Sequence, residues 1–189
     1  MTLYTKLKPG SPDHLKITNA IDAVLKPHVF SRSETLEELL LKLLAEKRIS
    51  VSFAESCTGG LCVQRMIQVA GSSKHVWGGY TAYQLGAKST MLGVKVASEE
   101  EGVSAECTRA LAQSALKASQ TGIAAAITGY LGPTGGTESD PIGTLYLCVA
   151  DKKGIEERKI VLPPRGRVRL QWAAATHLLH LVRKRLLFV

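Results

Sequence analysis

Phe53-Ala54-Glu55-Ser56-Cys57-Thr58-Gly59-Gly60 joins an alternating stretch, Ile49 to Phe53, to an apolar-periodic one carrying Leu61, Val63, Met66 and Ile67. The alternation predicts a strand and the later spacing a helix, from about Thr58 to Val69. A serine at such a turn sits among backbone N–H groups that have no partner inside the helix. Those donors suit an oxyanion or an anionic ligand, and glycines let main chain and ligand approach closely. The same residues also suit plain helix capping, by Ser56 or by Thr58.

Working outward, the pattern is that of an α/β chain. Residues 1–30 read as an N-terminal extension and 31–189 as one domain. The extension holds the breaker cluster Lys8-Pro9-Gly10-Ser11-Pro12 and a short amphipathic stretch that Pro27 stops. Ser31 and Glu34 have capping-box spacing, and Leu36, Leu39, Leu40, Leu43 and Leu44 then recur at helical period. Ala70-Gly71-Ser72-Ser73 predicts a turn and Val76–Gln84 a strand rich in Trp and Tyr, and a polar, Gly-bounded stretch then carries Lys88. Ser104 predicts a helix cap, with Cys107, Leu111, Ala115 and Ala118 on one side of the helix that follows. The short apolar run from Gly122 to Thr128 predicts a buried central strand. After the loop Gly129–Gly136 come strands at about 142–149 and 156–162, joined through Asp151-Lys152-Lys153-Gly154, and a helix from near Arg167 to Leu186. Early alternation of helix and strand with a late hairpin predicts a layered α/β domain on a mixed sheet.

Composition narrows the function classes. With 45% hydrophobic and 21% charged residues among 189, the chain has the makeup of an ordinary globular domain. Aromatics stand at 5%, a poor supply for a base-stacking surface. No apolar run reaches the roughly 20 residues that cross a bilayer, and Met1 to Lys6 lacks signal-peptide order, so a cytoplasmic location without membrane contact is expected. Cys57, Cys62, Cys107 and Cys148 form no CxxC pair and are expected to be reduced, buried thiols. His177 and His180 share a helix face without a third ligand, so no metal site is expected. The net charge of +8 concentrates beyond Arg158, where no acidic residue occurs. A phosphorylated small molecule, nucleic acid, an acidic partner and a merely solvated face all fit that bias. No nucleic-acid-reading motif accompanies it, so nucleic acid is not the expected partner.

Ligands of α/β sheets gather beyond the carboxyl ends of strands. Three loops qualify: Glu55–Gly60, Gln84–Lys88 and Gly129–Gly136. Ser56 is the candidate nucleophile, with no histidine in any of the three loops, which leaves Lys88 as the candidate base. Tyr83 is a candidate proton donor, and Cys57 a rival nucleophile at the same turn. Each has a structural alternative: a surface lysine, a strand aromatic, a Gly/Pro turn. The glycine loop is neither a Walker loop nor a GxGxxG fingerprint.

Taken together these segments resemble the C-terminal domain of the CinA competence/damage-inducible family, the nicotinamide-nucleotide amidases. The resemblance covers roughly residues 34–187. It rests on Ala54-Glu55-Ser56-Cys57-Thr58-Gly59-Gly60, Ala70-Gly71-Ser72-Ser73, Tyr83 with Ala87-Lys88, and Met91-Leu92-Gly93-Val94. Val103-Ser104, Gly132-Pro133 with Gly135-Gly136, Pro141-Ile142-Gly143-Thr144, and Arg165 with Val168, Arg169 and Gln171 complete it. It implies a three-layer α/β/α sandwich with a mixed, mostly parallel sheet, and no metal or organic cofactor. It also implies hydrolysis of the carboxamide of nicotinamide mononucleotide to nicotinic acid mononucleotide and ammonia. By position, Ser56 would be nucleophile, Lys88 base and Tyr83 helper, a Ser–Lys dyad with an assistant. Thr58, Gly59, Gly60, Gly132, Gly135, Gly136 and Arg165 would hold the phosphorylated nucleotide. A homo-oligomer is expected. The family's usual Tyr-Ser-Asn-Glu-Ala-Lys reads Tyr83-Gln84-Leu85-Gly86-Ala87-Lys88 here, and Thr134 stands where Asp is common. Those departures define the alternative: a member that binds a nucleotide or protein partner without turnover.

Overall fold

The computed structural model describes residue 8, residues 10–25 and residues 33–188. They fall into two units, one within Met1–Thr35 and one spanning Leu36–Val189. In the first, helix α1 (Pro12–Leu25) starts where Ser11 Oγ accepts the His14 amide at 3.3 Å, so the breaker cluster is a helix start with proline at its first position. Pro27 and Ser31 lie outside the described residues.

The second unit opens with α2 (Leu36–Lys47), whose leucine periodicity buries Leu36, Leu40 and Leu44. Strand β1 (Val51–Glu55) follows, buried at every position, then α3 (Leu61–Ile67), a 3-10 turn at Ser72–Lys74 and β2 (Val76–Thr81). Helices α4 (Leu85–Leu92), α5 (Glu99–Gly102) and α6 (Ala105–Ser119) lead to β3 (Ile123–Gly129). A hairpin of β4 (Thr144–Asp151) and β5 (Gly154–Val161) precedes α7 (Arg167–Phe188). Two caps stand as the residue types dictate: Ser104 Oγ accepts the Cys107 amide at 3.1 Å, and Ser98 Oγ accepts the Glu101 amide at 3.2 Å while Glu101 Oε2 accepts the Ala97 amide at 2.8 Å.

The sheet order is β2-β1-β3-β4-β5, with β1 parallel to both β2 and β3, and antiparallel pairing at β3–β4 and β4–β5. Period 2 divides the side chains between two cores. Val51, Phe53, Ile123, Ala125, Ile127, Leu145 and Leu147 pack with α2, α3 and α7, whereas Ala54, Ala124, Ala126 and Cys148 pack with Leu92 of α4 and Leu111 and Ala115 of α6. The result is an α/β/α sandwich on a mixed sheet. Small residues set the spacing of its layers: a Cβ on Gly79 would stand 2.7 Å from Val63 Cγ2 and 2.9 Å from the Phe53 carbonyl, so α3 can approach β2 only over glycine. No helix among the described residues is long and apolar enough to cross a membrane.

Two expectations need correction. The stretch carrying Lys88 is a helix, α4, although it contains Gly86 and its apolar residues, Leu85, Ala87, Met91 and Leu92, gather on no one face. The predicted helix from Thr58 begins only at Leu61, capped by Gly60 at φ 97 and by neither Ser56 nor Thr58.

Candidate active site

Because β1, β2 and β3 run parallel, their carboxyl ends share one rim of the sheet, and the loops that follow them converge. Ser56 directly follows β1, and its amide donates to the Ile127 carbonyl of β3 at 3.1 Å. Lys88 projects from the first turn of α4. Its Nζ lies 3.2 Å from Ser56 Oγ, 3.0 Å from the Ala82 carbonyl and 3.4 Å from the Tyr83 carbonyl. The side chain is 2% exposed, and no carboxylate hydrogen-bonds it among the described residues. Burial therefore pulls the ammonium below the ordinary lysine range, with weaker opposing influences from Cys107, Glu99 and Cys57. As an ammonium, Nζ donates to all three oxygens. As a neutral amine it keeps two N–H bonds to the carbonyls and turns its lone pair to the serine hydroxyl. This geometry serves both protonation states, as a base requires.

Glu55 stands as an acidic charge at the N-terminus of α3, the place where such a residue suits a helix. Its Oε2 accepts the amides of Gly60 and Cys62 at 3.1 Å each, and its Oε1 accepts the Val63 amide at 3.1 Å. The first amides of α3, expected to serve an oxyanion, are thus taken by a carboxylate from the strand below. What remains at the turn are the amides of Cys57 and Thr58, which have no carbonyl or carboxylate partner among the described residues. Thr58 Oγ1 is also buried without a hydrogen-bond partner. Cys57, the rival nucleophile, is a buried thiol pushed up to about 12 chiefly by burial, with its own backbone amide the main opposing influence and Arg167 and Lys88 pulling more weakly the same way. It is protonated at neutral pH and a poor nucleophile.

Tyr83 presents its carbonyl to Lys88, while its phenol, on a side chain 59% exposed, accepts a hydrogen bond from Arg167 Nη2 at 3.0 Å. Arg167 Nη1 donates to the Gly132 carbonyl at 2.6 Å. Gly132 is buried; Gly135 and Gly136 lie farther along the loop, where a Cβ on Gly136 would stand 3.0 Å from the Asp140 carbonyl. Gly59 and Gly60 line an open recess of about 390 Å³ with Thr58, Gln64, Gln171 and Trp172. Arg165 is exposed, and its charge is felt at His177 on α7. Arg167, two residues on, is the guanidinium that hydrogen-bonds the loops after β2 and β3.

Comparison with known proteins follows the same lines. The family model of the CinA C-terminal domain matches residues 33–186. A CinA-like protein of Koribacter versatilis is 38% identical over 164 residues, covering 84% of this chain and 39% of that protein. One of Amoebophilus asiaticus is 36% identical over 166 residues, covering 86% and 40%. The chain thus spans about two fifths of the length of these curated relatives. Among solved structures, a competence/damage inducible protein of Agrobacterium tumefaciens superposes with a TM-score of 0.73 at 30% identity, over 82% of this chain and 98% of that one. A CinA superfamily protein of Escherichia coli gives 0.72 at 25% identity, over 80% and 91%. The chain belongs to the CinA C-terminal domain family.

Proposed function

We propose that the chain hydrolyses the carboxamide of nicotinamide mononucleotide, giving nicotinic acid mononucleotide and ammonia, with Ser56 as nucleophile and Lys88 as its base. One observation carries this reading: a buried amine without a carboxylate partner stands 3.2 Å from a buried hydroxyl. Neutral Lys88 takes the Oγ proton as Oγ attacks the amide carbon. The developing oxyanion finds donors in the Cys57 and Thr58 amides. The Lys88 ammonium then returns the proton to the departing nitrogen; the C–N bond breaks, and ammonia leaves an acyl-Ser56. A water, deprotonated by Lys88, cleaves the ester and regenerates the serine. The test is ammonia release from nicotinamide mononucleotide. Ser56→Ala and Lys88→Met should each lower turnover on the order of 10³-fold or more. Equal turnover by wild type and Ser56→Ala refutes the assignment.

A second reading, nucleotide binding without turnover, is favoured by one observation. Gly86 faces open space, with nothing within 4 Å of where a Cβ would stand, at the position where the family's acid is found. That reading predicts calorimetric binding of the nucleotide, equal in wild type and Ser56→Ala, with no ammonia released by either.

A further inference from the structure

Helix α7 grips the three rim loops through two residues one turn apart. Gln171 Nε2 donates to the Cys57 carbonyl at 3.2 Å, holding the serine turn. Arg167 donates to the Gly132 carbonyl of the loop after β3 and to the Tyr83 phenol after β2, at 2.6 and 3.0 Å. These contacts join residues 114, 35 and 84 positions apart, so the segments bearing Ser56, Tyr83 and Gly132 are held by the first two turns of one helix. Arg167 makes no salt bridge among the described residues, so its planar fork is engaged by neutral oxygens alone. A guanidinium has donors and no acceptor. The Tyr83 oxygen must therefore accept from it, and the phenol's own proton is left pointing elsewhere. Lysine could not hold the same arrangement, because a single ammonium lacks the two-pronged planar reach.

We propose that Arg167 is a positioning residue that clasps Tyr83 to the Gly132 loop, fixing the phenol as a hydrogen-bond donor toward the departing nitrogen once the amide carbon is tetrahedral, alongside the Lys88 ammonium that supplies its proton. The proposal rests on the amidase reading for its chemistry, and its geometry stands apart from it. Arg167 acts through Tyr83 and does not itself bind the nucleotide phosphate. Displacing a supporting group by about an ångström can cost on the order of 100-fold in rate. Arg167→Lys and Arg167→Ala should therefore lower kcat by roughly 10- to 100-fold with little change in KM. The loss should be the same on nicotinamide mononucleotide and on its phosphate-free riboside. It should not add to the loss in Tyr83→Phe, because both substitutions remove one function.

Two measurements decide this separately from the amidase reading. In the first, amide hydrogen exchange of wild type, Arg167→Lys and Arg167→Ala is followed over 82–84 and 129–136; both segments should exchange faster in the variants. Unchanged exchange in a variant with native circular dichroism overturns the clasp, whether or not the protein turns over any amide. In the second, the kinetics above are compared between the two substrates. A loss confined to KM, and seen only with the phosphorylated substrate, makes Arg167 a phosphate ligand and overturns the proposal. Ammonia release absent from wild type, with faster exchange in the variants, refutes the amidase reading and leaves the clasp standing.

Discussion

At the scale of single residues, protonation decides what the site can do. Lys88 works as a base only when neutral, and burial shifts it in that direction. Turnover should therefore rise with pH and reach its plateau below the ordinary lysine range; a pH–rate profile of kcat checks this. The same shift has a signature in stability. Its folded value lies below the unfolded one, so between the two the unfolded chain binds more protons, and stability increases with pH across that window. Urea unfolding at a series of pH values should show a flatter dependence in Lys88→Met than in wild type. Cys57 illustrates the opposite outcome of burial. With its thiol pushed up to about 12, Cys57→Ala should keep turnover within a few-fold and wild type should resist alkylation at pH 7. Sequence reasoning could pair Ser56 with Lys88 because β1 ends just before one and β2 shortly before the other. It could not see Arg167, because nothing local marks a residue whose partners lie 35 and 84 positions away.

At the scale of elements, the serine turn is held from beneath. Glu55 ends β1 with its carboxylate under the start of α3, accepting three amides there. An ionised acceptor at that position also complements the helix dipole. Glu55→Gln replaces one acceptor oxygen by a donor that faces other donors. It should cost about 1.5–3 kcal/mol, read by denaturant unfolding, and lower turnover by letting Ser56 drift from Lys88. Elements whose periodicity matches their burial were legible: α2 by its leucines, β3 by its short apolar run, α6 by Ser104 and its small apolar face. Helix α4 was not, because its residues follow no apolar period and only tertiary contacts define it. Its Lys88 is buried by packing against neighbours that include Gly102, where a Cβ would lie 3.9 Å from Lys88 Cε and 2.6 Å from Leu85 Cδ2. The start of α3 was misjudged for a related reason. Ser and Thr are the usual caps, but a strand carboxylate had already satisfied the donors they would serve.

At the scale of the whole molecule, charge and layering act together. The sandwich places the three parallel strand ends on one rim, and all the proposed catalytic groups lie within the unit Leu36–Val189. The net charge of +8, with no acidic residue after Arg158, gives that unit's C-terminal part a positive field. Such a field concentrates an anionic substrate and is screened by salt over about 10 Å at 0.1 M. KM for nicotinamide mononucleotide should rise with ionic strength, while KM for the riboside, a pyridinium cation without phosphate, should stay flat or fall; initial rates across a salt series check this. Equal salt dependence for both substrates would remove the electrostatic role assigned to the basic C-terminal third.

The proposed covalent intermediate on Ser56 is most directly intercepted by hydroxylamine. An acyl-serine partitions between water and added hydroxylamine, so nicotinamide mononucleotide with hydroxylamine and wild-type protein should yield the hydroxamate together with ammonia. Ser56→Ala should yield neither. Ammonia released without hydroxamate, at a rate indifferent to Ser56→Ala, would mean that water attacks the amide directly and that the serine is not the nucleophile.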